Sequence, residues 1–268
     1  MIKIIFSDMD GTLLDDNGNL PPGFDDTIKK LKSRGVIFTP ASGRQYFSLL
    51  KSFGKYKNDF MFVAENGTLV MHKDKEIFSS PMGQEMALKI LKTGEDFPDI
   101  VRVYCGKKKA YFLKTQTSVE VHNEIEKYFT TNTFVDNFDQ IDDVPIKMSF
   151  FDKTGKAAQT IYPILKERFG KEMQVVLASD YWTDLINLNV SKGVAVKHIQ
   201  KMLNIKPDEC AAFGDYLNDT QMLQAVTYSF AMANAHPELK KFAKYETTTN
   251  TEYGVLTGIN RLIDEGLI

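Results

Sequence analysis

Cysteine and histidine are scarce in this 268-residue chain, and each scarcity excludes something. Cys105 and Cys210 lie far apart and lack a metal-type spacing. A disulfide framework and a zinc site are thereby excluded, and two buried thiols in a reducing cytoplasm are expected. His72, His122, His198 and His236 are scattered without ligand spacing and read as surface or satisfied side chains. Net charge is only −2, so no electrostatic footprint for nucleic acid or an anionic membrane is present. No apolar run approaches membrane-spanning length, and Met1-Ile2-Lys3 leads straight into an apolar stretch, leaving no room for a signal peptide. No glycine-rich G-x-G-x-x-G fingerprint follows that first stretch, which argues against a nucleotide-binding oxidoreductase. Repeats and low-complexity tracts are absent. What remains is an ordinary globular composition, 43% hydrophobic and 25% charged, long enough for one large domain or two moderate ones.

The organising stretch is Lys3-Ile4-Ile5-Phe6-Ser7-Asp8-Met9-Asp10-Gly11-Thr12. Its apolar run reads as a strand covered on both faces, hence a central strand of a parallel sheet. Strand alternation would aim Asp8 and Asp10 the same way and Met9 back, with Gly11 allowing a sharp turn. Two neighbouring carboxylates repel, and burying them calls for a cation between them; hard oxygen donors favour magnesium. On these residues alone, a solvated turn after an ordinary strand is an equal reading.

Asn17-Gly18 signals a hairpin, a short flap just downstream of the acids. A helix is predicted from about Phe24 to Ser33, stopped by Gly35. A strand at Val36–Thr39 runs into Pro40-Ala41-Ser42-Gly43-Arg44, and a helix is predicted from Gln45 to Phe53. Ser42-Gly43 thus lies where a strand hands over to a helix, a place suited to an anion, although Ser42 alone reads better as a plain capping serine. Phe60–Ala64 is a further strand, ending in the Glu65-Asn66-Gly67 turn before a hairpin around Lys73-Asp74-Lys75. Strand and helix alternate, as in a doubly wound α/β fold.

The pattern then changes to α+β with antiparallel pairing, from about Gln84 to Asp184. The first module resumes at Val190-Ser191-Lys192-Gly193. Cys210–Gly214 is another buried strand, ending in Asp215-Tyr216-Leu217-Asn218-Asp219. The expected organisation is a doubly wound, Rossmann-like parallel-sheet core from 1–82 and 186–268, with an α+β domain inserted at 83–185. Asp8, Asp10, Ser42-Gly43, Asp215, Asn218 and Asp219 then sit at carboxyl ends of strands, where open parallel sheets bind ligands. Lys192 joins them. Four acids and one ammonium need a divalent cation for balance, which would make a phosphate site.

These residues resemble the four motifs of the haloacid dehalogenase superfamily. Asp8-Met9-Asp10-Gly11-Thr12 is similar to the first and Ala41-Ser42-Gly43-Arg44 to the second. Ser191-Lys192-Gly193 is similar to the third, and Gly214-Asp215-Tyr216-Leu217-Asn218-Asp219 to the fourth. The insertion between the second and third, preceded by Asn66-Gly67, resembles the Cof-type branch (subclass IIB) with its α/β cap. Two departures are the serine at Ser42, where threonine is common, and Asn189 before Val190, where this branch often has glycine. The resemblance implies a cytoplasmic, Mg2+-dependent phosphatase acting on a small phosphate ester, sugar phosphates favoured. It implies that Asp8 is the nucleophile, forming an aspartyl-phosphate, and Asp10 the general acid and base. It implies a metal held by the Asp8 and Asp215 side chains and the Asp10 main-chain carbonyl, with Asp219 behind them. The phosphoryl oxygens would be held by Ser42, Gly43, Lys192, Asn218 and the Met9 amide.

Some residues stay ambiguous. Arg44 reads equally as a substrate contact or a partner for a nearby acid. Trp182 could stack on a sugar or base, but packing is the better reading. Lys107-Lys108-Lys109 reads as a solvated hairpin tip. Two other functions are compatible with parts of the pattern: a phosphomutase of the same superfamily, and a non-catalytic module phosphorylated on Asp8. The acid at Asp10 and the long insertion argue against the latter. Oligomeric state is not legible.

Overall fold

The computed structural model describes residues 1–268, apart from the side chain of Glu120. Two compact units emerge: Met1–Ser42, Lys55–Phe78 and Ser191–Ile268 form the first, and Gly43–Gly54 with Ser79–Val190 the second.

The first unit is built on a parallel sheet in the order Tyr245–Glu246, Tyr228–Ala231, Cys210–Gly214, Ile4–Ser7, Ile37–Pro40. Ile4, Ile5 and Phe6 are fully buried, as an apolar run without alternation requires of a strand with both faces covered. A parallel bridge from Ala41 to Val63 continues the edge toward the strand Met61–Ala64, which pairs antiparallel with Leu69–His72. The helix Phe24–Ser33 buries Phe24, Ile28 and Leu31 at helical spacing; its first turn carries Asp25 and Asp26 and its last Lys30 and Lys32, matching the helix dipole. The chain crosses from Ile4–Ser7 to one side for Ile37–Pro40 and returns on the other side for Cys210–Gly214. A crevice therefore opens at the carboxyl ends of Ile4–Ser7 and Cys210–Gly214.

The second unit is a six-stranded sheet ordered Met173–Leu177, Trp182–Asn187, Pro145–Asp152, Ile100–Gly106, Ala110–Leu113, Asn132–Val135. All its pairings are antiparallel except that of the last two strands. Alternation along Ile100–Gly106 divides the side chains. Ile100 and Tyr104 join a cluster with Leu91, Phe150 and Leu165, under the helices Gln84–Lys92 and Ile161–Phe169. Val101, Val103 and Cys105 join the opposite cluster with Ile125, Phe129 and Trp182, beside the helix Val119–Tyr128.

Three expectations need correction. The first concerns Gly43–Gly54, which belongs with the second unit rather than with the flanking strands of the first. The Gln45 amide pairs with the Thr131 peptide in both directions, at 3.0 and 3.2 Å, and Ser48 Oγ donates to Tyr128 O at 2.6 Å. Residues 79–82 and 186–190 also fall in the second unit. The second concerns the flap at Asn17-Gly18, which is a turn without flanking strands. Asp15 closes it, its carboxylate accepting from Asn17 N and Asn19 N at 2.9 and 2.8 Å. The third concerns the antiparallel pairing expected of the inserted segment: its strand Asn132–Val135 pairs parallel with Ala110–Leu113.

Candidate active site

The strand Ile4–Ser7 stops one residue before Asp8. Strand alternation is therefore not what places Asp8 and Asp10. Both keep extended backbone, but Met9–Leu13 forms a wide turn closed by Leu14 N donating to Met9 O at 2.8 Å. Gly11 sits in that turn at φ +74°, and a Cβ there would collide with the Asp215 carboxylate. The close approach of backbone to carboxylate requires glycine. Met9 is fully buried and Asp10 is partly exposed in the same turn.

Asp8 is anchored by its N–H, which donates to Phe213 O at 3.0 Å on the neighbouring strand. Lys192, at the start of the helix Lys192–Leu203, reaches it: Nζ lies 2.5 Å from Asp8 Oδ1 and 2.6 Å from Asp219 Oδ1. Lys192 is 1% exposed and Asp219 0%, so this ion triad is screened from water. Asp219 Oδ2 accepts from the Asp215 and Tyr216 N–H groups at 3.1 and 3.3 Å, which pins the loop after Cys210–Gly214. Asp215 accepts from Thr12 Oγ1 at 2.7 Å. Oxygens of Asp8, Asp215 and Asp219 lie within 4.8 Å of one another.

The electrostatics follow from three acids around one ammonium. Burial, then the Asp219 charge, raise the Asp8 carboxyl well above the ordinary range, Lys192 pulling the other way. Burial and Asp219 push Asp215 up to about 6, against the opposing hydrogen bond from Thr12. Burial acts to lower the Lys192 ammonium, but the Asp219 and Asp8 charges outweigh it and the net shift is upward. Lys192 thus stays charged while one ammonium does not balance the three acids. This hard, all-oxygen, under-neutralised donor set fits a divalent cation.

Ser42 and Asn218 belong to the same unit. Ser42 N donates to Val63 O at 2.9 Å, and Asn218 Nδ2 donates to Asn66 Oδ1 at 3.2 Å. Gly43, Arg44 and Trp182 lie in the second unit. Gly43 O accepts from Lys147 Nζ at 2.8 Å, and Lys147 lies 3.5 Å from Asp184, both buried. The Arg44 guanidinium lies over the Tyr128 ring, 5.4 Å from its centre. Trp182 is 8% exposed, packed on Phe129 and Phe151, and its Nε1–H donates to Glu124 at 3.0 Å. Its ring is a core element rather than a free stacking surface. Lys107-Lys108-Lys109 is indeed a hairpin tip, its backbone held by the Asp143 carboxylate. Sequence reasoning gave no role to Thr12 or Asn66, both of which hold a site residue. Their signal was position alone, Thr12 inside the first motif and Asn66 in a turn at a strand end.

The family profile of the haloacid dehalogenase-like hydrolases matches residues 5–259. The 5-amino-6-(5-phospho-D-ribitylamino)uracil phosphatase YbjI of Escherichia coli is 32% identical over 98% of this chain and 96% of its own length. The crystal structure of SMU.1108c from Streptococcus mutans superposes with a TM-score of 0.89 at 29% identity, covering 98% of this chain and 100% of that one. A subclass IIB sugar phosphatase, BT4131, shares the fold with a TM-score of 0.83 at 19% identity, over 99% and 100% of the two chains. The chain belongs to the haloacid dehalogenase-like hydrolases. Among the described residues, no helix is long and apolar enough to cross a membrane.

Proposed function

We propose that this protein is a cytoplasmic, Mg2+-dependent phosphomonoester hydrolase that works through an aspartyl-phosphate on Asp8. The observation that carries the reading is the buried Lys192 ammonium, 2.5 Å from Asp8 Oδ1. It orients one carboxylate oxygen and leaves the other to attack phosphorus in line. Asp10, two residues on and partly exposed, protonates the leaving oxygen. It then takes the proton from the water that cleaves the intermediate. Lys192, Ser42 Oγ, the Asn218 amide and the Met9 N–H would hold the phosphoryl oxygens.

A magnesium ion would be held by the Asp8 and Asp215 carboxylates and the Asp10 carbonyl. When bound it would neutralise the charge that otherwise repels a phosphate dianion. Asp219, with one oxygen on Lys192 and the other on two backbone N–H groups, fits a supporting place behind that set.

For the substrate we favour a small sugar or sugar-alcohol phosphate. The name of the YbjI relative supports this, since the compound in it carries its phosphate on a ribityl chain. Two buried thiols outside any disulfide, Cys105 and Cys210, agree with a reducing compartment.

The test is phosphate release from p-nitrophenyl phosphate and a panel of sugar phosphates and nucleotides, with and without Mg2+, comparing wild type with Asp8→Asn. Magnesium-dependent release that disappears in the variant is expected. Substantial release by a folded Asp8→Asn protein removes the nucleophile assignment.

A further inference from the structure

The segment Glu65-Asn66-Gly67 is unusual in its backbone. All three residues have positive φ, at 52°, 56° and 94°. Side-chain-bearing residues adopt that region rarely, and two in succession before a glycine persist only where the surroundings over-determine them. Glu65 and Asn66 are buried, and Thr68 Oγ1 donates back to Glu65 O at 3.0 Å.

What the turn touches gives the strain a purpose. Asn66 N donates to Ser42 O at 3.0 Å, and Ser42 N donates to Val63 O at 2.9 Å, so the Ser42 peptide is gripped on both sides. Asn66 Oδ1 accepts from Asn218 Nδ2 at 3.2 Å. A Cβ on Gly67 would run into the Ser191 carbonyl and the Lys192 N–H, backbone atoms that cannot swing aside. Ser191 in turn caps its helix, accepting from Val194 N at 3.2 Å, and its hydroxyl bonds Gln221. One strained turn therefore meets the ends of three separate chain segments, each carrying a group assigned above to the phosphoryl oxygens.

We infer that Glu65–Gly67 is a positioning element for phosphate binding: Asn66 aims the Asn218 amide and fixes the Ser42 peptide, and Gly67 seats the start of the Lys192 helix. An amide nitrogen carries two coplanar N–H groups. Bonding one to Asn66 fixes the plane and so the aim of the other. Asn66 needs no contact with substrate; it acts through Asn218. The inference rests on the phosphatase reading for the identity of the ligand.

Asn66→Gly is the informative variant. Glycine keeps the positive φ and the N–H to Ser42 and removes the side-chain acceptor for Asn218. The experiment is a double-mutant cycle of wild type, Asn66→Gly, Asn218→Ala and the double variant, all with Mg2+. Inorganic phosphate binding is measured by calorimetry and p-nitrophenyl phosphate turnover in parallel, and melting temperatures verify the fold. Each single variant is expected to weaken phosphate binding about tenfold, and the double variant no further, because the two residues act as one unit. Unchanged binding in Asn66→Gly, or losses that multiply to about a hundredfold in the double variant, overturns the inference. If wild type turns over substrate while the losses multiply, the positioning role alone falls. If wild type neither binds phosphate nor turns over any phosphate ester, the phosphatase reading falls and takes the turn's role with it.

Discussion

Lys192 and Asp8 are 184 positions apart in sequence and meet at 2.5 Å, both buried. The pair also includes Asp219, so removing the ammonium strands two buried carboxylates at once. Lys192→Met is expected to abolish turnover and to cost about 3–5 kcal/mol of stability, the range for breaking a buried ion pair from one side. Urea unfolding measures the second effect. The loss should shrink as pH falls, because Asp8, raised by burial, takes up a proton more readily than an ordinary carboxyl and then no longer needs the cation. A variant equally destabilised at pH 5 and pH 8 would show that packing, not charge, is what Lys192 supplies.

The raised carboxyls make a second prediction with a definite sign. Asp215 titrates near 6 in the folded protein and near 4 when unfolded. Between those values the folded chain holds more protons. Without a cation, this group's contribution to stability therefore falls as pH rises from about 4 to about 6, and Asp8 acts in the same direction. A divalent cation competes with those protons. Adding Mg2+ should raise the melting temperature more at pH 8 than at pH 5, by a stabilisation of about 2.7 kcal/mol at a hundredfold excess over its dissociation constant. Equal melting temperatures with Mg2+ and with chelator at pH 8 would argue that the acid cluster holds no such ion.

Much of this was legible before any coordinates. Ile4–Phe6 and Cys210–Gly214 are apolar on both faces, so only a covered parallel sheet accommodates them, and the acids at their ends mark its ligand-binding edge. Helix Phe24–Ser33 was readable to the residue because apolar spacing, end charges and Gly35 agree. What was not legible depends on contacts between distant segments. Gly43–Gly54 looks like the next helix of the first module, and only the Gln45–Thr131 and Ser48–Tyr128 bonds assign it to the second. Trp182 between two acids leaves stacking on a ligand open beside the better reading of packing, and only its contacts with Phe129 and Phe151 decide for packing. Asn66 reads as an ordinary turn residue, because neither its φ nor its bond to Asn218 has a local signature.

Thr12 gives a third prediction. Its hydroxyl donates to Asp215 Oδ1 at 2.7 Å, and the residue is buried. Thr12→Val keeps the shape and removes the donor. Asp215 then loses a hydrogen bond that favours its charged form, so its pKa should rise further and its hold on a cation weaken. Partners that orient a metal-binding carboxylate are worth about tenfold in affinity at the low end. The Mg2+ concentration for half-maximal activity should increase by about that factor, with turnover at saturating Mg2+ nearly preserved. An unchanged magnesium dependence would mean that Asp215 is oriented by other contacts.

The last prediction concerns the segment after Ser42. Gln45 is buried, and its amide both donates to Thr131 O and accepts from Thr131 N, taking the place of a strand neighbour for that peptide. Ser48 Oγ adds a bond to Tyr128 O and accepts from Thr130 N at 3.2 Å. Together they dock the helix Tyr46–Phe53 on its own unit from one side of its first turn. Gln45→Ala removes the partner of the half-buried Thr131 N–H, while Thr131 O keeps its bond from Ala110 N. Losing the two bonds is expected to cost about 1–3 kcal/mol locally. Hydrogen exchange at residues 45–54 and 128–132 should quicken by about tenfold or more, while exchange in Ile4–Ser7 and Cys210–Gly214 stays as in wild type. If exchange quickens equally in those distant strands, the helix is not a locally docked element, and its stability is that of the whole chain.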